Sequence, residues 1–178
     1  MNNTVAVSAI CLNLAILLGS VDGVYFHLWK YRLFKWKESR PEHMLHTARA
    51  FLFIPIAWLL FGKNYGGWLL WIGVAFASAD AIVELIDILI ERRSRASLGG
   101  LSTAEYAIHV NATGLRFASL ALIFVAKPVE AWSLSSPTLL DPAYPSWLTW
   151  LMLNTIPGSS IAALAHVWLM RSKYRAAG

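Results

Sequence analysis

Glu42 to His46 reads EHMLH and Glu105 to His109 reads EYAIH, so a carboxylate and an imidazole stand four residues apart in two places, each at the start of a long apolar run. On a helix, positions i and i+4 share a face, and both side chains of each pair can reach one point. Carboxylate oxygen with imidazole nitrogen is a donor set for iron, manganese or zinc. Cu(I) is disfavoured, because no Cys or Met cluster lies nearby; Cys11 is the only cysteine, and it is read as a small packing residue.

The remaining ionisable residues converge on the same end of the chain's apolar runs. His27, His43, His46, His109 and His166 all map to one half, with eight of the ten acids. Asp80, Glu84, Asp87 and Glu91 follow a 4-3-4 spacing and line one helix face. Like charges stacked in low dielectric need protons, cations or metal. Glu38 and Glu91 lie among Lys and Arg and are expected to be solvated, and His43 is expected at headgroup level. Asp22, Asp80, Glu84 and Asp87 are too deep for that and need partners. Arg116 sits at the depth of Asp80, and an Asp80–Arg116 ion pair neutralises both. The expected metal ligands are therefore Asp22, Glu42, His46, Glu84, Glu105 and His109. His27 and Asp87 come next, as extra ligands or as partners that orient the imidazoles. Arg49 either counters negative charge or meets a lipid phosphate. His166 is read as a packing residue more than a ligand.

The elements that must position these groups are transmembrane helices. The chain has 178 residues, 57% hydrophobic and 14% charged, against about 25% charged in soluble domains. Five apolar segments, residues 5–29, 44–62, 66–90, 103–126 and 146–170, approach or exceed the ~20 residues that cross hydrocarbon. The expected fold is an all-α integral membrane protein, one transmembrane domain over residues 1–178, a bundle of about five spans. The first run lacks a basic flank and a small-residue cleavage pattern, so it is read as a retained span. The nine Trp fit aromatic belts.

Basic residues follow the first, third and fifth spans: Lys30 to Arg40, Arg92 to Arg95, and Arg171 to Arg175. Lys63 and Lys127 alone lie opposite. The positive-inside rule places the N-terminus outside, the C-terminus and the acidic half in the cytoplasm, and the protein in the bacterial inner membrane. These loops are topology determinants beside anionic lipid; no nucleic-acid partner is expected. The run from Lys127 to Trp147 is an extracytoplasmic loop, and Pro157-Gly158 within NTIPGSS, Asn154 to Ser160, predicts a kink or a short break in the fifth span.

Spans 1–2 and 3–4 each read Ser-x-Asp, an apolar helix end, a basic loop, then Glu-x-x-x-His, with Asp22 opposite Asp80. This suggests duplication of a two-helix hairpin about an axis along the membrane normal. The ligand arithmetic resembles that of ferritin-like carboxylate-bridged sites, where four helices supply Glu and Glu-x-x-His; here the spacing is one residue longer.

The function expected from these residues is a membrane metalloenzyme. It would hold two divalent metal ions, with iron ranked before manganese or zinc, near the cytoplasmic face. It would act as an oxidoreductase of hydroxylase, desaturase or oxidase type on a lipid-soluble molecule from the bilayer, with a redox partner as electron donor. A proton- or divalent-cation-coupled transporter is the first alternative; the apolar outer halves of spans 2 to 4 argue against a through-path, and a broken fifth helix at Pro157 argues for one. A haem b cytochrome ligated by His46 and His109 is the second. A scaffolding subunit with paired buried charges is disfavoured because acids outnumber Arg49 and Arg116. No nucleotide loop, nucleophile elbow or zinc-protease motif appears.

Overall fold

The computed structural model describes residues 3–174; its regular structure is all helical, with no strand among the described residues. Five helical stretches are long and apolar enough to cross a membrane: Asn3–Lys30, Arg40–Gly62, Gly67–Leu98, Thr103–Ala126 and Ser146–Arg171. Arg175, counted above with the basic residues, lies outside the described residues, as does the side chain of Lys173. Large apolar side chains point outward along the spans. Trp29, Trp36 and Trp168 are exposed at the end with the basic loops, and Trp68, Trp71 and Trp147 towards the other, as aromatic belts require.

The elements are α1 (Asn3–Ser20), a π-helical segment (Val21–Lys30), α2 (Arg40–Ile56) with a π-helical end (Ala57–Gly62), α3 (Gly67–Arg95), α4 (Thr103–Ala126), α5 (Ser146–Leu153) and α6 (Thr155–Tyr174). The main packed pairs are α1 with α4, α2 with α3, and α2 with α6. Between α1 and α4, Ser8 Oγ donates to the Ser119 carbonyl at 2.7 Å and Ser119 Oγ donates to the Ser8 carbonyl at 2.8 Å. Small residues that exchange hydrogen bonds let two helices approach closely in lipid. Gly73 does the same for α3 and α2, because a Cβ there would stand 2.5 Å from Leu60 Cδ2.

Two helix boundaries differ from the sequence expectation, and the fifth span carries the short break expected within NTIPGSS. α2 begins at Arg40 rather than 44, with Pro41 in its first turn, where a missing N–H breaks no bond. Helix continues past residue 90 through Arg95, which carries Glu91 and Arg95 into the bundle instead of a loop. The fifth span breaks at Asn154, three residues before Pro157. Pro157 is the third residue of α6, within the turn whose N–H groups have no intrahelical acceptor, so the proline starts a helix rather than kinking one. Asn154 closes the break: its backbone N–H and its Nδ2 both donate to the Trp150 carbonyl, at 3.1 and 2.6 Å.

The loop from Lys127 to Pro145 folds back over the α2–α3 turn. Leu140 N–H donates to the Asn64 carbonyl at 2.9 Å, and Gly66 N–H to the Thr138 carbonyl at 3.3 Å. Gly67 has φ +60, and a Cβ there would lie 2.5 Å from the Ser136 carbonyl oxygen, so only glycine fits this turn. The apolar core lies between this loop and mid-span, around Leu12, Leu60, Leu70, Ile123 and Met152. The polar cluster occupies the opposite half.

Candidate metal centre

Local sequence sets the two Glu-x-x-x-His pairs. Ser102 caps α4: its Oγ accepts from Glu105 N–H at 3.3 Å, which fixes Glu105 in the first turn. Glu42 holds the same place in α2, and Ser39 before it donates from Oγ to the Ser94 carbonyl at 3.1 Å, tying the start of α2 to the end of α3. Both carboxylates thus sit where the helix dipole favours negative charge.

The first span contributes through an irregularity that α-helical spacing does not contain. In an α-helix, residues five apart point about 140° away from each other. The segment Val21–Lys30 is π-helical, and the wider turn brings His27 Nε2 to 3.5 Å from Asp22 Oδ2. π-helical turns occur mostly as single-turn insertions, often at functional sites.

Around these, His27 Nε2 lies 3.8 Å from Glu42 Oε1 and 3.8 Å from Glu105 Oε1. His46 Nε2 lies 3.9 Å from Glu42 Oε1 and 3.2 Å from Asp87 Oδ2. His109 Nδ1 lies 3.7 Å from Asp22 Oδ2 and 3.7 Å from Glu91 Oε1. Two triads, His27–Glu42–His46 and Asp22–His27–Glu105, each offer donor atoms within 4.8 Å of one another. Two donors each about 2.1 Å from one ion stand ~3.0–3.4 Å apart at right to tetrahedral angles. The observed separations are close to that range and mostly too long for hydrogen bonds.

Most of the cluster is buried, with His46 partly exposed. Glu42 and Glu105 are fully buried, His27 and Asp87 are 1% exposed, and Asp22, Glu91 and His109 are no more than 8% exposed. Asp22 Oδ1, both oxygens of Asp87, Glu91 Oε1, Glu105 Oε2, both ring nitrogens of His27 and His109, and His46 Nε2 have no hydrogen-bond partner. Buried polar atoms are nearly always satisfied, so a group of this size needs a cause.

Arg95, a loop cation by its sequence context, belongs to the centre. It is fully buried. Its Nη2 stands 2.8 Å from Glu42 Oε1 and 2.7 Å from Glu105 Oε1, its Nη1 donates to Glu42 Oε2 at 2.9 Å, and the guanidinium lies 5.3 Å from the Tyr31 ring centroid. Glu91, expected to be solvated, is 7% exposed, and His43, expected among headgroups, is 1% exposed. The signal for Arg95 was present. The buried stripe of α3 runs Asp80, Glu84, Asp87, Glu91, Arg95, one further step of the acidic spacing, whereas Arg92 and Arg93 leave it and are exposed.

Glu84 is placed apart from the other expected ligands. Arg49 Nη2 donates to Glu84 Oε1 at 3.1 Å, Thr113 Oγ1 donates to the same oxygen at 2.8 Å, and Arg116 pairs with Glu84 as well as with Asp80. Arg49 Nε also reaches Asp80 Oδ1 at 3.4 Å. Arg49 therefore counters acids rather than lipid phosphate, and two arginines with two acids form a balanced layer, deeper in the span than the centre. His166 stacks on His43, with ring centroids 4.6 Å apart and planes at 10°, while His43 Nε2 meets the His166 carbonyl at 3.2 Å. This histidine pair packs α2 against α6.

The sequence comparison set Asp22 opposite Asp80. In space, Asp22 of the first span approaches His109 of α4, and Asp87 of α3 approaches His46 of α2. Asp80 itself pairs with Arg116 and Arg49 rather than with a histidine. No family model, curated protein or solved structure matches this chain.

Proposed function

We propose that the chain is a membrane metalloenzyme whose buried cluster holds two divalent metal ions, with iron the first candidate and manganese or zinc next. The observation that carries this is charge. Asp22, Glu42, Asp87, Glu91 and Glu105, all buried, face one cation, Arg95. When ionised, these acids leave four negative charges in excess, which matches two divalent ions, while the neighbouring layer of Asp80, Glu84, Arg49 and Arg116 is neutral by itself. Unscreened like charges at this burial are too costly without cations or protons. Three imidazoles with free nitrogens complete a donor set suited to iron or zinc.

The residues divide the work. Asp22, Glu42, His46, Asp87, Glu105 and His109 hold the ions, and His27, between the two triads, links them. Arg95 pairs with Glu42 and Glu105 and offsets part of their charge. The ions would supply activation of dioxygen or of water. Basic loops at this end support a cytoplasmic location, with the N-terminus outside, and the matched Asp22–His109 and Asp87–His46 approaches support a duplicated hairpin. The proposed activity is an oxidoreductase acting on a lipid-soluble molecule, with a redox partner.

A cation-coupled carrier is the second reading, favoured by the polar layer of Asp80, Glu84, Arg49 and Arg116 that extends from the centre towards mid-span. Reconstitution in proteoliposomes separates the two. Metal-dependent dioxygen consumption with a lipid-soluble reductant, and no cation flux, is expected. Flux without consumption would overturn the oxidoreductase.

A further inference from the structure

A cavity of about 730 Å³ opens off the histidine layer, with Asp22, His46 and His109 on its floor. Sites for small molecules commonly have about 300–1,000 Å³. Its facing walls are small residues at helical spacing: Ala15, Gly19 and Gly23 on the first span, and Gly158, Ala162 and Ala165 on α6. A Cβ added at Gly19, Gly23 or Gly158 would meet nothing within 4 Å. Leu12, Ile16 and Phe53 line its apolar part. Gly19, Ser20 and Val24 on one side, and Asn154, Gly158 and Ile161 on the other, are exposed, so the mouth faces sideways between the first and fifth spans. Asp22 Oδ1 and the His109 ring nitrogens at the floor have no hydrogen-bond partner.

The lining also defines the ligand's polarity. Ser20 Oγ donates to the Ile16 carbonyl at 2.7 Å, Thr155 Oγ1 to the Met152 carbonyl at 2.6 Å, Ser159 Oγ to the Thr155 carbonyl at 3.2 Å, and Thr113 Oγ1 to Glu84 at 2.8 Å. Asn154 Nδ2 is committed to the Trp150 carbonyl. With these protons in use, the hydroxyls offer lone pairs. The two arginines of the wall are matched by Asp80 and Glu84, leaving no net positive charge for an anionic head.

We propose that this cavity is a lateral binding site for a neutral, hydroxyl-bearing molecule, an alcohol or phenol on an apolar body, admitted from the bilayer between the first and fifth spans with its hydroxyl towards Asp22 and His109. This deepens the metalloenzyme reading by naming the substrate class, but binding itself needs no metal.

The test is photolabelling of the full chain in phosphatidylcholine nanodiscs with a diazirine-bearing long-chain alcohol, with adducts mapped by mass spectrometry. Adducts are expected on the first and fifth spans at the cavity. Dodecanol should compete about tenfold better than dodecyl methyl ether, the effect of one buried hydrogen bond, and better than dodecanoate. Gly158→Trp should remove the labelling, and Ala162→Leu, a milder filling, should weaken it at unchanged thermal stability. Equal competition by the ether, stronger competition by dodecanoate, or labelling that persists in both variants would overturn the proposal. Metal content measured on the same samples separates the two ideas. Bound metal without labelling refutes only this site, and labelling without metal refutes only the metal centre.

Discussion

Arg95→Met removes the one cation of the cluster. Arg95 is fully buried and makes its contacts with Glu42 and Glu105 at 2.7–3.1 Å. Breaking a buried ion pair by deleting one partner costs about 3–5 kcal/mol, because the other charge is stranded. For a chain of this length, each kcal/mol moves Tm by about 2–4 °C, so the metal-free variant should melt ~6–20 °C lower. The same substitution raises the excess of negative charge from four to five, so metal should bind no more weakly. A divalent ion at a thousand times its Kd adds about 4 kcal/mol to either protein. Loading with metal should therefore recover much of the loss, and adding Glu105→Gln should recover part of it without metal. The assay is thermal unfolding in detergent, with and without metal, for wild type, single and double variants. An unchanged Tm in the metal-free single variant, or loss of metal binding with it, would refute the role assigned to Arg95.

Other perturbations bear on neighbouring parts. His46→Ala and His109→Ala should each lose most bound metal, whereas His43→Ala should keep it and lose stability, since His43 packs on His166; metal analysis of the three variants decides. Arg116→Leu strands one acid of the balanced layer, and combining it with Asp80→Asn or Glu84→Gln should recover part of the lost Tm; no recovery in either would argue against the pairing. At the far end, outside the spans, Lys127 is 6% exposed, donates to Asn64 Oδ1 at 3.0 Å and the Tyr65 carbonyl at 2.9 Å, and burial pushes its ammonium down from 10.5 to about 8. The unfolded chain holds that proton more tightly, so stability should rise between pH ~8 and ~10.5, by ~3 kcal/mol at most, and stay flat on either side. Lys127→Met should flatten the rise in a pH series of melting curves.

The spans and much of the cluster were legible because both rest on period and composition. Hydrophobic runs of membrane length have one helical solution, and i,i+4 spacing put Glu42 with His46 and Glu105 with His109 on shared faces. What escaped was set by other physics. The approach of Asp22 and His27 depends on a π-helical turn, which α-helical spacing excludes. Arg95 was hidden in a basic run whose average suggests a loop, while its own phase follows the acids of α3. Glu84 and Asp87 share a face, so spacing could not say which meets arginine and which meets histidine; depth along the span decides it. The break in the fifth span, by contrast, was legible in NTIPGSS, and it falls at Asn154 because proline is harmless in a first helical turn.

The most direct test is elemental analysis with a visible spectrum on the protein purified in detergent. About two iron, manganese or zinc ions per chain, without a Soret band, is the expected result. A Soret band would replace the dinuclear centre with haem, and a folded protein that takes up no metal from any of the three would contradict the metal centre outright.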